Sequence, residues 1–416
     1  MPRVKQAVRL PAHPSPSTPE RRGARSLAER PGAATPKSVR SIGILSTYPP
    51  IQCGIATFTA SLRDALIGGR SDLQVGVVRV GEAARSPFDD AVTHVMTGTG
   101  GSDSRAAAAA LNRYDVAVVQ HEFGIYGGDD GEQVLEVVAA LRVPVVVVAH
   151  TVPARPTPNQ RRVLTALGQA ADSVVTMSAT GRRRLLDGYG MDARKLTLIP
   201  HGAPAGAPST RDRGSRPGPV VLTWGLLGPG KGVEWGIAAL SEMDTTRLAP
   251  TYVVAGQTHP KVLARDGERY RDDLADQAEQ HGVSRFVRFE PGYLSPERLR
   301  ELLAEADLVL LPYDSREQVT SGVLTEALAA GVPVVATPFP HAVELLADGR
   351  GGVLVPHADP AAIAAAVTRI ADEPDLAKSM SEHNTRLTAL VGWPAVATRY
   401  RRVFDDQLRR QRRLTR

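Results

Sequence analysis

The sequence predicts an α/β fold with two doubly wound domains, on three observations. Short apolar segments alternate with segments of helical periodicity along most of the 416 residues, which is typical of parallel sheets covered on both faces. A stretch rich in Pro, Gly, Ser and Arg, residues 203–219, interrupts this alternation and indicates a domain boundary. Polar and glycine-rich loops repeatedly follow the apolar segments, at the strand ends where such sheets bind ligands.

The first half of the chain contains six predicted strands. These are short runs dominated by Val, Ile and Leu, over residues 41–45, 73–80, 116–119, 143–149, 173–177 and 195–199. Helical spacing of apolar residues predicts helices over 57–66, 105–111, 133–141 and 160–171. Ser178 is placed to cap a further helix after the fifth strand.

The second half repeats the pattern after residue 219. Strands are predicted over 220–224, 252–255, 287–289, 308–311, 332–336 and 352–355. Helices are predicted over 234–240, 266–281, 295–304, 341–346, 359–371 and 375–390, and from about Gly322. A terminal helix is predicted from Trp393, because Pro394 suits a first helical turn. The predicted organisation is a tail over 1–40, domains over 41–212 and 213–385, and a C-terminal helix with a basic tail over 386–416.

The net charge of +6 resides in the N-terminal tail rather than in the predicted domains. Residues 1–40 hold nine Lys or Arg against two Glu, so the remainder is near neutral and no nucleic-acid partner is expected. The composition of this segment, rich in Pro, Ser and Arg, predicts a disordered tail. Contact with an anionic membrane surface is the alternative, both for this tail and for the C-terminal end QLRRQRRLTR.

Cysteine content and hydropathy indicate the cellular compartment of the protein. The sequence has one cysteine, Cys53, which excludes an internal disulfide and a cysteine-built zinc site and fits a reducing compartment. No apolar run approaches the roughly 20 residues of a transmembrane helix, and the first residues lack the apolar centre of a secretory signal. We expect a cytoplasmic protein, with peripheral contact at the inner membrane face through its basic tails as an option. The oligomeric state is left open.

The segment YDSREQVTSGVLTEALAAGVPVVAT predicts an anion site. Three small residues, Thr320, Ser321 and Gly322, stand where a helix should begin, and the free amides and dipole of a helix N-terminus favour an anion. Glu326 follows one helical turn later, and Gln318 stands eight residues before it. Acceptors of hydroxyl hydrogen bonds beside a phosphate site predict a sugar nucleotide as the ligand.

A second candidate phosphate site is the loop GLLGPGKG, which begins at Gly225, follows a strand and opens a helix. Its glycines allow the backbone to approach a ligand closely, and Lys231 adds a positive charge, which together suit a diphosphate. The loop is neither a Walker A sequence nor the dinucleotide-binding motif. A tight turn made by Gly and Pro is the alternative reading.

Three histidines, His121, His150 and His201, follow predicted strands. Hydrogen bonding within the scaffold is the alternative to a ligand role for each of them. They lack the helical H-E-x-x-H arrangement of a zinc site, and the acidic run GDDGE at 128–132 is explained as the start of a helix. No D-x-D follows an apolar strand and no G-x-S-x-G occurs. We therefore expect neither a metal-held diphosphate nor a serine hydrolase.

Taken in order, these motifs resemble those of retaining glycosyltransferases of family 4, which have the GT-B architecture of two facing Rossmann-like domains. The segments are TYPPIQCGIATF (47–58), AHT (149–151), IPHGAP (199–204), GLLGPGKG (225–232), EALAAGVPVVAT (326–337) and ELLADGRGGVLVPHADP (344–360). The resemblance runs from about Ser41 to about Tyr400. It implies a cleft between an N-terminal acceptor domain and a C-terminal donor domain, with a terminal helix that crosses back to the first domain.

The resemblance also implies roles for single residues. Lys231 matches the lysine that binds the donor phosphates, and Glu326 matches the second Glu of the E-x7-E motif, which holds the nucleotide ribose. His150 matches the histidine that lines the acceptor and the donor sugar. We predict a catalytic group of His150, Lys231 and Gln318, with His121 and His150 on the acceptor side. The predicted donor-binding residues are Gly54, Gly225, Gly230, Lys231, Gly256, Ser321, Gly322, Val323, Leu324 and Glu326.

The chain departs from the family pattern at two positions. The first Glu of E-x7-E falls where this chain has Gln318, and the Arg of G-R-L falls where it has Leu226. Gln318 can pair with a sugar hydroxyl but carries no charge, and Leu226 removes a positive partner of the diphosphate. Arg316 and His341 are the candidate replacements. The sequence QVTSG is typical of a bacterial subgroup with an altered loop.

The resemblance predicts a transferase that moves a hexose from GDP-mannose or a UDP-hexose to a hydroxyl of a glycan, lipid or small molecule. With GDP-mannose as the donor, the enzyme would be a mannosyltransferase. No cofactor is expected, because the nucleotide sugar is a co-substrate, and no metal is expected, because no D-x-D follows an apolar strand. Two alternatives stay open: a sugar-nucleotide 2-epimerase of the same fold, and a non-catalytic nucleotide-sugar binding protein. The second alternative is motivated by Gln318 and Leu226.

Overall fold

The computed structural model describes residues 38–82, 89–98, 100–204 and 216–414, which belong to one compact unit. The predicted tail up to residue 37 lies outside the described residues. Residues 38–40, which were predicted as the end of the tail, belong to the first domain. Val39 is buried in the core beneath the C-terminal helix, and its N–H donates to the Asp405 carboxylate at 2.8 Å. The first domain therefore begins near Ser38 rather than at Ser41.

Seven parallel strands form the first sheet. They are β1 (Ser41–Ser46), β2 (Gln74–Val80), β3 (Val92–Met96), β4 (Val116–His121), β5 (Val145–Ala149), β6 (Ser173–Thr176) and β7 (Leu196–Leu198). Their order is β3-β2-β1-β4-β5-β6-β7, so the winding reverses between β1 and β4. The helices of this half are α1 (Gly54–Ile67), α2 (Gly101–Leu111), α3 (Val134–Ala139), α4 (Pro158–Ala170) and α5 (Ala179–Tyr189), with a 3-10 turn at Asp129–Gly131.

Six parallel strands form the second sheet. They are β8 (Val220–Trp224), β9 (Thr251–Ala255), β10 (Val287–Glu290), β11 (Leu308–Leu311), β12 (Val334–Ala336) and β13 (Gly352–Leu354), in the order β10-β9-β8-β11-β12-β13. The helices around it are α6 (Val233–Ser241), α7 (Thr245–Leu248), α8 (Pro260–Asp266), α9 (Arg269–Gln280), α10 (Pro296–Glu305), α11 (Gly322–Ala329), α12 (Pro340–Leu346), α13 (Pro360–Asp372) and α14 (Pro374–Val391). A 3-10 turn occupies Ser284–Phe286.

Each sheet is covered on both faces by apolar helix faces, as the strand composition predicts. In the first domain, one core lies against α2 to α5 and the other lies against α1 and the C-terminal helix α15 (Trp393–Leu414). In the second domain, one core lies against α6, α9 and α13, and the other against α10, α11 and α12. Each large aliphatic side chain buried in these cores contributes about 1.5–3 kcal/mol of hydrophobic stabilisation.

The C-terminal helix crosses back to the first domain, as the resemblance implies. α14 packs on α11 in the second domain and ends at Val391. Gly392 and Trp393 then pair with Ala203, whose carbonyl accepts from the Trp393 N–H at 3.1 Å. α15 packs on α1, with Tyr400 and Phe404 fully buried. The crossing point therefore lies at residue 392, and residues 386–391, predicted as part of the crossing segment, still belong to α14.

Three elements differ from the sequence prediction. The edge strand β3, Val-Thr-His-Val-Met, was not predicted, because it is short and only partly buried. The helix predicted over 266–281 is α9, which begins at Arg269, and the short helix α8 before it, which ends at the capping residue Gly267 with a φ of 64°, was not predicted. α7 is a single turn capped by the Asp244 carboxylate, which was also not predicted. Within the ranges that the structure describes, no helix is long and apolar enough to cross a membrane.

Candidate active site

The carboxyl ends of the two sheets meet across a cleft, and loops of the second domain contact the first domain there. Val319, in the loop after β11, is buried in the core cluster of the first domain. The Tyr293 hydroxyl lies 2.7 Å from the Thr57 hydroxyl in the first turn of α1. Arg184 of α5 forms an ion pair with Glu317 at 3.0 Å. These contacts hold loops at the carboxyl end of the second sheet against the first domain.

The glycine loop after β8 approaches its neighbours too closely for any side chain. A Cβ on Gly256 would lie 2.0 Å from the Gly225 carbonyl oxygen, and a Cβ on Gly232 would lie 1.8 Å from the Pro312 carbonyl oxygen. Gly225, Gly230 and Gly256 all have positive φ angles, of 128°, 89° and 126°, a region that favours glycine. The three predicted glycines thus bring backbone from the loops after β8 and β9 together beside the start of α11.

Lys231 is held within this loop without a negatively charged partner. Its ammonium lies 4.5 Å from the centre of the Tyr313 ring, a cation–π contact. No carboxylate pairs with it anywhere in the described chain. Burial lowers the pKa of Lys231 below its ordinary value, because desolvation penalises the charged form. A desolvated cation without a partner is unfavourable unless an anion joins it, so this position suits an anionic ligand.

The N-terminus of α11 offers two free amides. The Ser321 hydroxyl caps the helix by accepting from the Leu324 N–H at 3.2 Å. The Leu324 amide is therefore already engaged, unlike the prediction that it meets the ligand. The amides of Gly322 and Val323 have no hydrogen-bond partner in the part of the chain that the structure describes. A Cβ on Gly225 would lie 3.9 Å from the Val323 side chain, so these amides adjoin the glycine loop.

Glu326 lies one turn into α11, on the same face as Gly322. Its carboxylate forms no hydrogen bond or ion pair with any described residue. Burial raises the pKa of Glu326 to about 7, because no cation offsets the cost of desolvating the charge. Its two oxygens are thus open to hydroxyl groups of a ligand, which is the role that the resemblance implies.

Gln318 is held by its own loop. Its side-chain N–H donates to the Thr320 carbonyl oxygen at 3.1 Å, and its backbone carbonyl accepts from the His341 N–H at 3.3 Å. The side-chain oxygen of Gln318 has no partner among the described residues. The neighbouring Glu317 points instead to the first domain and accepts from the Ala154 N–H at 3.0 Å. The catalytic role predicted for Gln318 stays a prediction.

His150 emerges at the end of β5, as predicted, and bonds to the scaffold of the first domain. Its Nε2 lies 2.7 Å from Gln120 Oε1, which can only accept, so this nitrogen carries the proton and Nδ1 keeps a lone pair. The ring packs edge-on against Phe58 at 4.9 Å. Burial, with His201 and His121 nearby, lowers the pKa of His150 to about 3. The imidazole is thus neutral and can accept a hydrogen bond at Nδ1.

His121 is a fully buried imidazole whose two ring nitrogens have no hydrogen-bond partner among the described residues. Burial lowers the pKa of His121 to about 4. It packs edge-on against Phe123 at 4.8 Å. The structure places it on the strand beside His150, whose backbone N–H donates to the His121 carbonyl oxygen at 3.0 Å. The two predicted acceptor-side histidines are therefore neighbours.

Gly54, the predicted donor contact from the first domain, is the first residue of α1. The preceding Cys53 caps this helix, with its sulfur accepting from the Ala56 N–H at 3.4 Å. A Cβ on Gly54 would meet nothing within 4 Å, so open space lies beside it. Thr57, in the same helical turn as Gly54, contacts Tyr293 of the second domain. The start of α1 therefore lies at the cleft.

Sequence reasoning missed the polar residues that join the two domains. The Glu344 carboxylate of α12 accepts from the Ala179 N–H at 2.8 Å and the Thr180 N–H at 3.2 Å, at the start of α5. This contact, like those of Tyr293 and Glu317, links residues far apart in the chain. Each of these residues is of a type that is common on protein surfaces, so the sequence contains no signal that distinguishes them from other surface residues.

The acidic run at 128–132 organises the start of α4. Asp130 accepts from Thr157 at 3.3 Å, from Asn159 at 3.2 Å and from Gln160 at 3.3 Å. Over the described ranges, no three His, Cys, Asp or Glu side chains form a group that could hold a metal ion. Independence from a metal stays a prediction about the reaction.

The raised pKa of Glu326 predicts a stability effect that depends on pH. Below pH 4.5 the group is neutral in both folded and unfolded chains, and between pH 4.5 and about 7 the unfolded chain ionises first. The folded protein therefore loses stability as the pH rises through this window. We expect Glu326→Gln to raise the free energy of unfolding by about 1–3 kcal/mol at pH 8 and by nearly nothing at pH 4.5.

Thermal unfolding midpoints of the two proteins across pH 4.5–8 measure this effect. Glu382→Gln, which removes an exposed carboxylate on α14, is the matched control and should leave the midpoint almost unchanged. A Glu326→Gln midpoint that differs from the parent by the same amount at every pH would contradict the half-buried, unpaired state of Glu326.

Two family models match the chain, one in each domain. Residues 80–205 match a model described as Glycosyltransferase Family 4, and residues 218–373 match one described as Glycosyl transferases group 1. The second match spans the glycine loop with Lys231 and the helix α11. The first spans β4 and β5 with their histidines.

Curated relatives agree with these matches. The chain is 32% identical over 240 residues to glycogen synthase of Mycobacterium tuberculosis, covering 57% of this chain and 55% of that protein. It is 30% identical over 255 residues to D-inositol 3-phosphate glycosyltransferase of Thermobispora bispora, covering 58% of each protein. The chain thus spans little more than half the length of the curated relatives it matches.

Solved structures share the fold over most of the chain. Anabaena HepE in complex with UDP and glucose aligns with a TM-score of 0.70 at 18% identity, over 88% of this chain and 99% of that chain. Sucrose-phosphate synthase from Thermosynechococcus elongatus aligns with a TM-score of 0.68 at 18% identity, over 91% of this chain and 100% of that chain. The predicted GT-B fold is confirmed, and both domains carry matches to glycosyltransferase families.

Proposed function

We propose that this chain is a retaining glycosyltransferase that moves a hexose from a nucleoside-diphosphate sugar to a hydroxyl acceptor. The observation that carries the proposal is the half-buried, unpaired ammonium of Lys231 beside a helix start with two free amides. A cation and the positive end of a helix dipole in one desolvated place suit a diphosphate. The family matches of both domains support a transferase over a mere anion site.

The donor is proposed to be GDP-mannose or a UDP-hexose held mainly by the second domain. Lys231 and the Gly322 and Val323 amides would bind the diphosphate, and Glu326 would accept from the ribose hydroxyls. The uncommitted side-chain oxygen of Gln318 is available to a sugar hydroxyl. Binding of UDP and glucose by Anabaena HepE, which shares this fold, supports a nucleotide sugar as the ligand class.

The acceptor is proposed to occupy the first-domain side of the cleft beside His150, with the fully buried His121 behind it. Both imidazoles are neutral because burial lowers their pKa values to about 3 and about 4. His150 presents the lone pair of Nδ1 and can therefore accept from a hydroxyl group. The relatives include transferases named for glycogen and for D-inositol 3-phosphate, which supports a hydroxyl of a glycan or small polyol as well as a lipid-linked one.

The proposed mechanism is positioning together with electrostatic stabilisation. The domains exclude water from the cleft and align the acceptor hydroxyl with the anomeric carbon. The bond from this carbon to the leaving diphosphate breaks as the acceptor oxygen bonds on the same face, and the acceptor proton passes to the departing phosphate. Lys231 and the helix N-terminus stabilise the charge that grows on the diphosphate. The proposal therefore needs neither a protein nucleophile nor a metal ion.

A cytoplasmic location with contact at the inner membrane face is proposed on the basis of charge. The end of α15 exposes the basic side chains of Arg410, Arg412 and Arg413, and Leu414 is 88% exposed beside them. Basic residues near an apolar side chain favour anionic lipid surfaces. The basic N-terminal segment adds positive charge of the same kind.

A donor and acceptor screen tests the proposed function. The full chain is incubated with GDP-mannose, UDP-glucose, UDP-galactose, UDP-GlcNAc or ADP-glucose, each with and without maltooligosaccharides, inositol phosphate or a glycolipid, in the presence of EDTA. We expect a glycosylated product with one donor and the α-anomeric linkage of that donor retained. Epimer formation without an acceptor would establish the epimerase instead, and donor binding without any transfer would establish a binding protein. Activity only after Mn²⁺ or Mg²⁺ is added would contradict the metal-free reaction.

Removal of the Lys231 ammonium is the sharpest test of the diphosphate site. We expect Lys231→Ala to lower turnover by on the order of 10²-fold or more, because an electrostatic donor to the leaving group is lost. Lys378→Ala, which removes an exposed lysine on α14, should keep turnover near that of the parent. Initial rates with the best donor measure both variants. A Lys231→Ala turnover within twofold of the parent would show that the leaving group does not meet Lys231.

A further inference from the structure

The N-terminus of α11 is flanked by an imidazole that no motif assigns. His341, in the first turn of α12, is 3% exposed, and its Nδ1 accepts from the Ser321 N–H at 2.9 Å. Ser321 is the residue that caps α11. The ring is therefore fixed directly behind the two free amides of Gly322 and Val323.

The Ser321 contact determines where His341 carries its proton. A backbone N–H can only donate, so Nδ1 must hold a lone pair and the neutral ring must carry its hydrogen on Nε2. Among the described residues, nothing accepts from this Nε2–H. This N–H is not engaged within the described part of the chain, so it is available to a ligand atom with lone pairs.

His201, from the first domain, lies on the other side of the same helix start with the opposite tautomer. Its Nδ1 lies 2.7 Å from the Gly202 carbonyl oxygen, so Nδ1 carries the proton and Nε2 keeps a lone pair. A Cβ on Gly322 would lie 2.9 Å from the His201 ring. Burial, with a smaller contribution from His201, lowers the pKa of His341, and burial lowers the pKa of His201. Both rings are therefore neutral, and only His341 offers a hydrogen here.

The charge of the second domain shows why such a donor is useful. A diphosphate needs several donors, and the glycine loop supplies a single cation, Lys231, because Leu226 is apolar. Arg316, the other candidate replacement, is exposed and makes no hydrogen bond or ion pair with a described residue. A neutral N–H can be buried without the desolvation cost of a second cation.

We propose that His341 binds the diphosphate of the donor through Nε2–H and replaces the positive partner that is missing at Leu226. The inference rests on the proposed function, because it deepens the description of the same diphosphate site. His341 then joins the Gly322 and Val323 amides and Lys231 as a fourth donor to the phosphates. The hydrogen bond from the Ser321 N–H to Nδ1 keeps the N-terminus of α11 in place while Nε2–H donates to the ligand.

Two variants separate the ligand contact from the structural one. His341→Asn places an amide oxygen near the position of Nδ1, so it keeps an acceptor for the Ser321 N–H and loses the Nε2 donor. His341→Gln reaches towards the position of Nε2 with an amide N–H and loses the acceptor for Ser321. Calorimetric titrations with UDP and uridine, and with GDP and guanosine, measure binding, and thermal melts without ligand measure the fold.

We expect His341→Asn to weaken binding of the nucleoside diphosphate by about tenfold or more, with nucleoside affinity and melting midpoint near those of the parent. His341→Gln should recover part of the diphosphate affinity and melt earlier. Unchanged diphosphate affinity in His341→Asn, or an equal loss for nucleoside and diphosphate, would overturn the inference. A parent protein that binds neither UDP nor GDP would overturn the proposed function itself, so the two failures are distinguishable.

Discussion

The partial burial of the Lys231 ammonium without a carboxylate partner is the constraint on which the rest of the site depends. A desolvated cation has to be offset, and here the Tyr313 ring offers only a cation–π contact at 4.5 Å. The loop that holds Lys231 can form because Gly225 and Gly256 let two backbones touch. The strand order, with its reversal between β8 and β11, brings this loop beside the start of α11. An anion at that point satisfies the lysine and the free amides together.

The two domains contribute to the cleft in different ways. The second domain supplies charge and free amides, whereas the first supplies neutral imidazoles whose low pKa values follow from burial. Contacts of Glu317 and Glu344 with the first domain keep the cleft narrow. α15 fixes the first domain from behind, since Tyr400 and Phe404 are buried against the face that α1 also covers. The residues proposed to bind the substrates are therefore different from those that hold the two domains together.

The fold and the central part of the site could be predicted because they follow from local patterns. Alternating apolar segments determine the sheets, and the cap at Ser178 stands where predicted. The rest depends on partners distant in sequence. Glu344 bonds to residues 164 and 165 positions away, and Tyr293 to one 236 positions away, which no local pattern encodes. The engagement of the Leu324 amide by Ser321 and the break at Gly267 depend on backbone geometry that composition leaves open.

The measurement that tests this account most directly is a crystal structure of the chain with a bound nucleoside diphosphate. We predict phosphate oxygens within about 3 Å of the Lys231 ammonium and of the Gly322 and Val323 amides, and ribose hydroxyls on the Glu326 carboxylate. A nucleotide bound elsewhere, or bound in the cleft with its phosphates away from Lys231, would contradict the conclusion that the unpaired lysine and the start of α11 form the diphosphate site.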